Sequence, residues 1–242
     1  MEDLINRNRK IIPGIFTILN LLCGFLAIIK FAEANFISGC WFIIFASVFD
    51  ALDGQLARFT HSSSTFGVEF DSLADMVSFG VAPSVLLYTI HYNILGVLGL
   101  LISFSPLVFG SIRLARFNAN FAGKKHTKYY GLPIPLSALT ISSFVMFNYN
   151  FWDELYLIRL LGPQIVIVCL LMISTIKYHR ILKISFKDGK IHTISVIIML
   201  LSFLLIILFP LTTLYPLCLV YILIGAINFF VTSTKSKSDK HS

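Results

Sequence analysis

Charge is what this chain lacks. Of its 242 residues only 13% are charged against 57% hydrophobic, and the mean hydropathy is +0.84. A water-soluble domain of this length does not carry so apolar a composition, so that class is excluded. Cysteine is also scarce. Cys23, Cys40, Cys169 and Cys218 all fall in apolar runs without metal-ligand spacing. They read as small buried hydrophobes, and no disulfide framework is implied. Nor is there an internal repeat or a long low-complexity tract. One membrane domain over residues 1–232 accounts for the chain, followed by a basic polar tail at 233–242 that is read as unstructured.

What the chain has in place of charge is a series of long apolar runs. Eight are long enough to cross a bilayer as helices: roughly 11–31, 35–52, 72–91, 93–112, 132–151, 155–176, 192–209 and 211–231. The expected fold is all-α, a polytopic membrane helix bundle of about eight transmembrane helices. Only the turn around Pro210 divides the last two runs, so six or seven spans remain open. The second run is expected to continue as a helix beyond Asp50. The first imitates a signal peptide ending at Ala32-Glu33-Ala34, but it is longer than a usual secretory apolar core and is read as a retained span.

Basic residues set the orientation. On the eight-span reading every Lys and Arg except Lys30 and Arg159 falls on one side of the membrane. The bias of Lys and Arg makes that side cytoplasmic, with both termini inside. The net charge of +7 then reflects topology and contact with an anionic lipid bilayer, and nucleic-acid binding is not expected.

Against this apolar background four aspartates stand out. Asp50 and Asp53 are three residues apart at the end of the second run; Asp71 and Asp75 are four apart at the start of the third. On a helix either spacing puts a pair on one face. The two runs are consecutive and antiparallel, so the pairs can meet near headgroup depth. An ionisable residue in a membrane helix is a functional hypothesis by default. Four carboxylates so placed make a hard-oxygen site for Mg2+ or Mn2+, and two neighbouring ions would clamp a phosphoryl group. Gly54 and Gly67 allow a ligand close to the backbone, and Arg58 suits a phosphate. The segment 59–66 offers hydroxyls, Ser64 among them, and an N-cap for the third span. Simple interfacial acids paired with Arg or Lys would explain one such aspartate, but not the ordered set.

The ordered set D-x2-D-G-x2-A-R-x8-G-x3-D-x3-D, matched at every fixed position from Asp50 to Asp75, resembles the signature of the CDP-alcohol phosphatidyltransferase family. That resemblance implies an integral membrane enzyme that displaces CMP from a CDP-linked substrate with an alcohol. It also implies that Asp50, Asp53, Asp71 and Asp75 hold the metals, and that Asp75 is the general base. Gly54, Arg58 and a hydroxyl such as Ser64 would contact the cytidine nucleotide. A homodimer is a further implication.

Within the family, Asp71-Ser-Leu-Ala-Asp75-Met-Val-Ser78-Phe79-Gly80-Val-Ala-Pro83 resembles the subgroup that uses L-serine as acceptor and CDP-diacylglycerol as donor, with phosphatidylserine as product. Arg113-Leu-Ala-Arg116-Phe-Asn118 and Tyr130-Gly131-Leu-Pro133-Ile-Pro135 are similar to it as well, as are Thr17, Asn20 and Gly24 in the first span. The resemblance covers residues 12–140. It adds Gly67, Asn20 and Thr17 to the expected CDP-diacylglycerol contacts. A serine carboxylate calls for a cation, and Arg113 and Arg116 are the candidates; the alternative is that both only snorkel to the interface. Such an enzyme would sit in the inner (cytoplasmic) membrane with its site facing the cytoplasm.

Three other readings stay open at this point. The eight motif positions do not choose an acceptor, so glycerol 3-phosphate, inositol phosphate or a phosphatidyl lipid could replace serine. A covalent route through His-x-Lys-x4-Asp starts at His126-Thr-Lys128 but meets Pro133 where the acid is needed. A transporter would also carry acids in its spans, but nearer the midplane than these.

Overall fold

The computed structural model describes residues 2–60, 65–122, 131–176, 204–206 and 208–238. Its helices are α1 (Glu2–Ala32), α2 (Phe36–Thr60), α3 (Thr65–Asp75), α4 (Ala82–Ile90), α5 (Gly96–Ala122), α6 (Ile134–Trp152), α7 (Ile158–Ile173) and α8 (Pro210–Ser238). A π-helical segment, Met76–Val81, joins α3 to α4, and a 3-10 turn, Tyr92–Leu95, joins α4 to α5. The described residues contain no strand, as an all-α membrane bundle requires, because backbone groups in lipid must be satisfied within each segment.

Among the described residues five helical stretches are long and apolar enough to cross a membrane: Gly14–Ala32, Phe36–Leu56, Thr65–Ile90, Tyr92–Ala119 and Pro210–Phe229. The shorter Ile158–Ile173 is also an apolar helix. The expected 132–151 run is α6, whose Asn148, Tyr149 and Asn150 make it less apolar, and it is the most enclosed helix of the bundle. The expected run at 192–209 lies largely outside the described residues. The tail departs from expectation: α8 continues as helix to Ser238, so its basic end extends a span.

Two departures matter for the site. The second run continues as a helix beyond Asp50, as expected, whereas the third begins earlier than the expected residue 72. α2 continues ten residues past Asp50, and α3 begins at Thr65, six residues before Asp71. Asp50, Asp53 and Asp71 therefore lie inside helices, and Asp75 ends α3 where the π segment takes over. The second departure is the π segment, where the Ala82 N–H donates to the Val77 carbonyl five residues back. Pro83 follows at once. A proline lacks the N–H and its ring crowds the carbonyl of Phe79, and a wider turn absorbs both problems.

Small residues hold α1 against this rod. Cys23 and Ala27 of α1 are buried with Phe31, and they share one core with Cys40, Ile43 and Ala46 of α2. Lipid offers no hydrophobic drive between helices, so close approach and hydrogen bonds must supply the attraction. Gly24 gives the closest approach: a Cβ there would collide with the Ser78 hydroxyl and lie 2.7 Å from the Ser78 Cα. The Ser78 hydroxyl instead donates to the Asn20 carbonyl at 2.9 Å.

Gly24→Ala should therefore cost about 1–3 kcal/mol, the usual range for overpacking. A Cβ added at Gly54 meets nothing within 4 Å. Thermal unfolding in detergent should show a lowered midpoint for Gly24→Ala and none for Gly54→Ala; equal midpoints would mean that α1 does not press on the π segment.

Candidate active site

The consecutive antiparallel helices α2 and α3 bring the acid pairs together. Carboxylate oxygens of Asp50, Asp71 and Asp75 all lie within 4.8 Å of one another. Asp53 stands apart from that trio and accepts a hydrogen bond from the Thr17 hydroxyl of α1. Asp75 accepts one from the Asn20 Nδ2 of α1 at 3.0 Å. Asp53 and Asp75 are buried, while Asp50 and Asp71 are half-buried. Thus α1 supports one member of each pair, and the other two acids are left more open.

Among the described residues none of these aspartates is ion-paired with Lys or Arg; the ion pair found there joins Lys30 to Glu33. Three acid oxygens this close suit a hard divalent ion that takes oxygen ligands. Arg113 of α5 acts electrostatically on both Asp75 and Asp50. Its Nε is buried without a hydrogen-bond partner.

The structure separates the two candidate arginines. Arg116 donates from Nη1 to the Ile173 carbonyl at the end of α7, 3.0 Å away. The same end of α7 receives the Leu132 N–H at Leu171, and the Gly131 N–H bonds to Ile176 just beyond. Gly131 has φ +83°, and a Cβ there would run into the Met172 carbonyl, so glycine is needed. Arg116 thus belongs to a clasp between α5, α7 and the start of α6, while Arg113 faces the acids.

Other expected residues are distributed as follows. Gly54 and Gly67 are exposed beside the acid pairs. Arg58 lies in the last turns of α2, its side chain outside the described residues, and Ser64 falls outside them altogether. Thr17 and Asn20, expected on the lipid nucleotide, here hold Asp53 and Asp75. Sequence reasoning missed the chain linking α3 to α5, in which Ser72 donates to Asn118 Oδ1 at 3.1 Å and Asn118 Nδ2 to Glu69 Oε2 at 3.0 Å. It also gave Ser78 no role. The nearest signal was the placing of Pro83 just beyond Ser78-Phe79-Gly80, which marks a disturbed turn.

Residues 10–162 match the profile of a family described as CDP-alcohol phosphatidyltransferase. A CDP-diacylglycerol–serine O-phosphatidyltransferase of Helicobacter pylori (strain J99) is 34% identical over 227 residues, 92% of each chain. The chain belongs to the CDP-alcohol phosphatidyltransferase family. A Methanocaldococcus jannaschii protein with the same description as the Helicobacter one is 35% identical over 224 residues, 91% of this chain and 96% of that one. An archaetidylserine synthase of Methanothermobacter thermautotrophicus is 36% identical over 176 residues, 70% of each chain. This phosphatidyltransferase is therefore an integral membrane transferase of phospholipid biosynthesis, and the transporter reading falls. Its family is generally dependent on divalent metal, which the clustered acids fit.

Asp75 is the buried member of the trio and the one bonded to α1. Its replacement by Asn keeps the shape but removes a charge and a base, so turnover should fall by at least about 10²-fold, the lower end for a lost general base. Asp153→Asn is a matched control: Asp153 is exposed, beyond the C-terminus of α6, at φ 53°, a left-handed conformation that Asn also tolerates. CMP release should be unchanged there. Activity of Asp75→Asn within a few-fold of the parent would remove Asp75 from the chemistry.

Proposed function

We propose that this phosphatidyltransferase moves the phosphatidyl group of CDP-diacylglycerol to L-serine, giving phosphatidylserine and CMP. The observation that carries the reading is the likeness, over 92% of both lengths, to a relative described as CDP-diacylglycerol–serine O-phosphatidyltransferase. Arg113 supports it, because a cation with a free N–H beside the acids suits the carboxylate of an amino acid. Arg116 is the weaker candidate, being engaged at α7.

In this mechanism the serine hydroxyl attacks the lipid-linked phosphorus. The new P–O bond forms as the bond from that phosphorus to the CMP oxygen breaks, and Asp75 takes the hydroxyl proton. Asn20 holds one oxygen of Asp75, which leaves the other to receive it. Two ions, Mg2+ or Mn2+, held by Asp50, Asp53, Asp71 and Asp75 would neutralise charge on the diphosphate. Gly54, Gly67, Arg58, Ser64 and Thr17 are proposed on the nucleotide side. Holding both reactants beside Asp75 supplies orientation as well as electrostatics. No residue is assigned as a covalent nucleophile, so the order is sequential.

The lipid donor enters sideways, its acyl chains staying in the bilayer, and the acids lie on the basic, cytoplasmic side of an inner (cytoplasmic) membrane. Cysteines introduced at Ser63 and Lys124 should react with an impermeant reagent only from the cytoplasm; labelling from outside alone would reverse the orientation. The acceptor is tested with radiolabelled CDP-diacylglycerol and a panel of serine, glycerol 3-phosphate and inositol phosphate, each with and without a chelator. Serine should support CMP release, and the chelator should abolish it. Turnover with glycerol 3-phosphate and none with serine would overturn the acceptor but keep the family chemistry.

A further inference from the structure

Asn20 is fully buried and fixed at three points. Its main-chain carbonyl accepts the Ser78 hydroxyl at 2.9 Å, its Nδ2 donates to Asp75 Oδ1 at 3.0 Å, and the neighbouring turn at Gly24 touches Ser78. Its side-chain Oδ1 has no hydrogen-bond partner. The orientation of the amide is not arbitrary. A carboxylate only accepts, so the amino end must face Asp75 and the carbonyl end must be the free one. A buried amide oxygen without a donor is costly, and turning the amide to relieve it would break the bond to Asp75.

The geometry points to Asn20 Oδ1 as the acceptor for the ammonium group of the incoming amino acid, a specificity-determining contact that rests on the serine reading above. The oxygen needs a donor; a phosphate or carboxylate supplies none, and the ribose hydroxyls and cytosine amino group of the nucleotide supply only neutral ones. Asp75, bonded to the same amide, favours a donor that is positively charged. Two carbons separate the ammonium of serine from its hydroxyl, so an ammonium on Asn20 brings the hydroxyl to the carboxylate that Asn20 already holds. α1 and α5 both pack on the π segment, and Arg113 of α5 also acts on Asp75. Ammonium, hydroxyl and carboxylate of one small molecule are thereby addressed by Asn20, Asp75 and Arg113. Asn20 then belongs to the acceptor side of the site, not to the lipid nucleotide.

The probe is 3-hydroxypropanoate, which keeps the carboxylate and hydroxyl of serine and lacks the ammonium. The unmodified protein should prefer serine by about tenfold or more in kcat/KM, the value of one hydrogen bond to a charged group. Asn20→Ala and the near-isosteric Asn20→Leu should raise the serine KM by a similar factor and erase that preference, with the KM for CDP-diacylglycerol and the cation requirement held. Equal losses for both acceptors would make Asn20 only a support for Asp75. A raised KM for CDP-diacylglycerol, or a raised cation requirement, with the preference kept would return Asn20 to the nucleotide or the metal. Each of those results overturns the inference, and so does an unmodified protein that uses both acceptors equally, whether or not the variants fold. Absence of serine turnover in the unmodified protein would instead sink the acceptor reading and this inference with it.

Discussion

Mutual repulsion among Asp50, Asp71 and Asp75 is the constraint on which the bundle depends. Charges about 5 Å apart near a protein surface repel by about 3 kcal/mol per pair at an effective dielectric near 20. The described oxygens are within 4.8 Å, so a fold that keeps all three acids together must hold them against that force. α1 answers part of it by bonding Asp53 and Asp75, and Arg113 of α5 answers another part with its charge. What is left over is the attraction for a divalent cation. Removing the repulsion by design would stabilise the bundle and abolish the reason for it.

The helices outside the motif can be understood as the support this arrangement requires. α6 is lined with buried residues and meets α2, α7 and α8. Gln164 of α7 donates to the Thr140 carbonyl at 3.1 Å and accepts from the Tyr215 hydroxyl of α8 at 3.1 Å. Such interhelical polar contacts contribute modestly each, but in lipid they fix which faces meet. The clasp of Arg116, Gly131 and Leu132 on the end of α7 does the same at the acid side, and so sets the position of α5 from which Arg113 reaches inward.

The trio of acids was legible because its signal is local: spacings of three and four on consecutive antiparallel helices leave one way for the pairs to meet. The all-helical membrane bundle was legible from the length of apolar runs alone. The separate fates of Arg113 and Arg116 were not. Three residues apart on one helix, they differ only in which neighbours their faces meet, and those neighbours, Ile173 and Asp75, are distant in sequence. Asn20 was recognised as part of the site but its bond to Asp75 was not foreseen, since an apolar run does not say which helix it will touch. The start of the third helix was misjudged, because the turn from Thr65 to Asp71 carries too few apolar residues to look like part of a span.

The π segment has a geometric consequence for the span it interrupts. Its wider ring takes in one residue more than an α-turn, and one residue of α-helix is about 100° of rotation. Beyond Val81 the rod is therefore out of phase with the part before it. An unbroken α-helix from Thr65 would aim either the acids or the residues of α4 at the wrong neighbours, but not both correctly. The change of phase lets a single membrane crossing obey two azimuths: one set by Asp71 and Asp75 facing α2, and the other by Leu86 and Leu87 buried in the core.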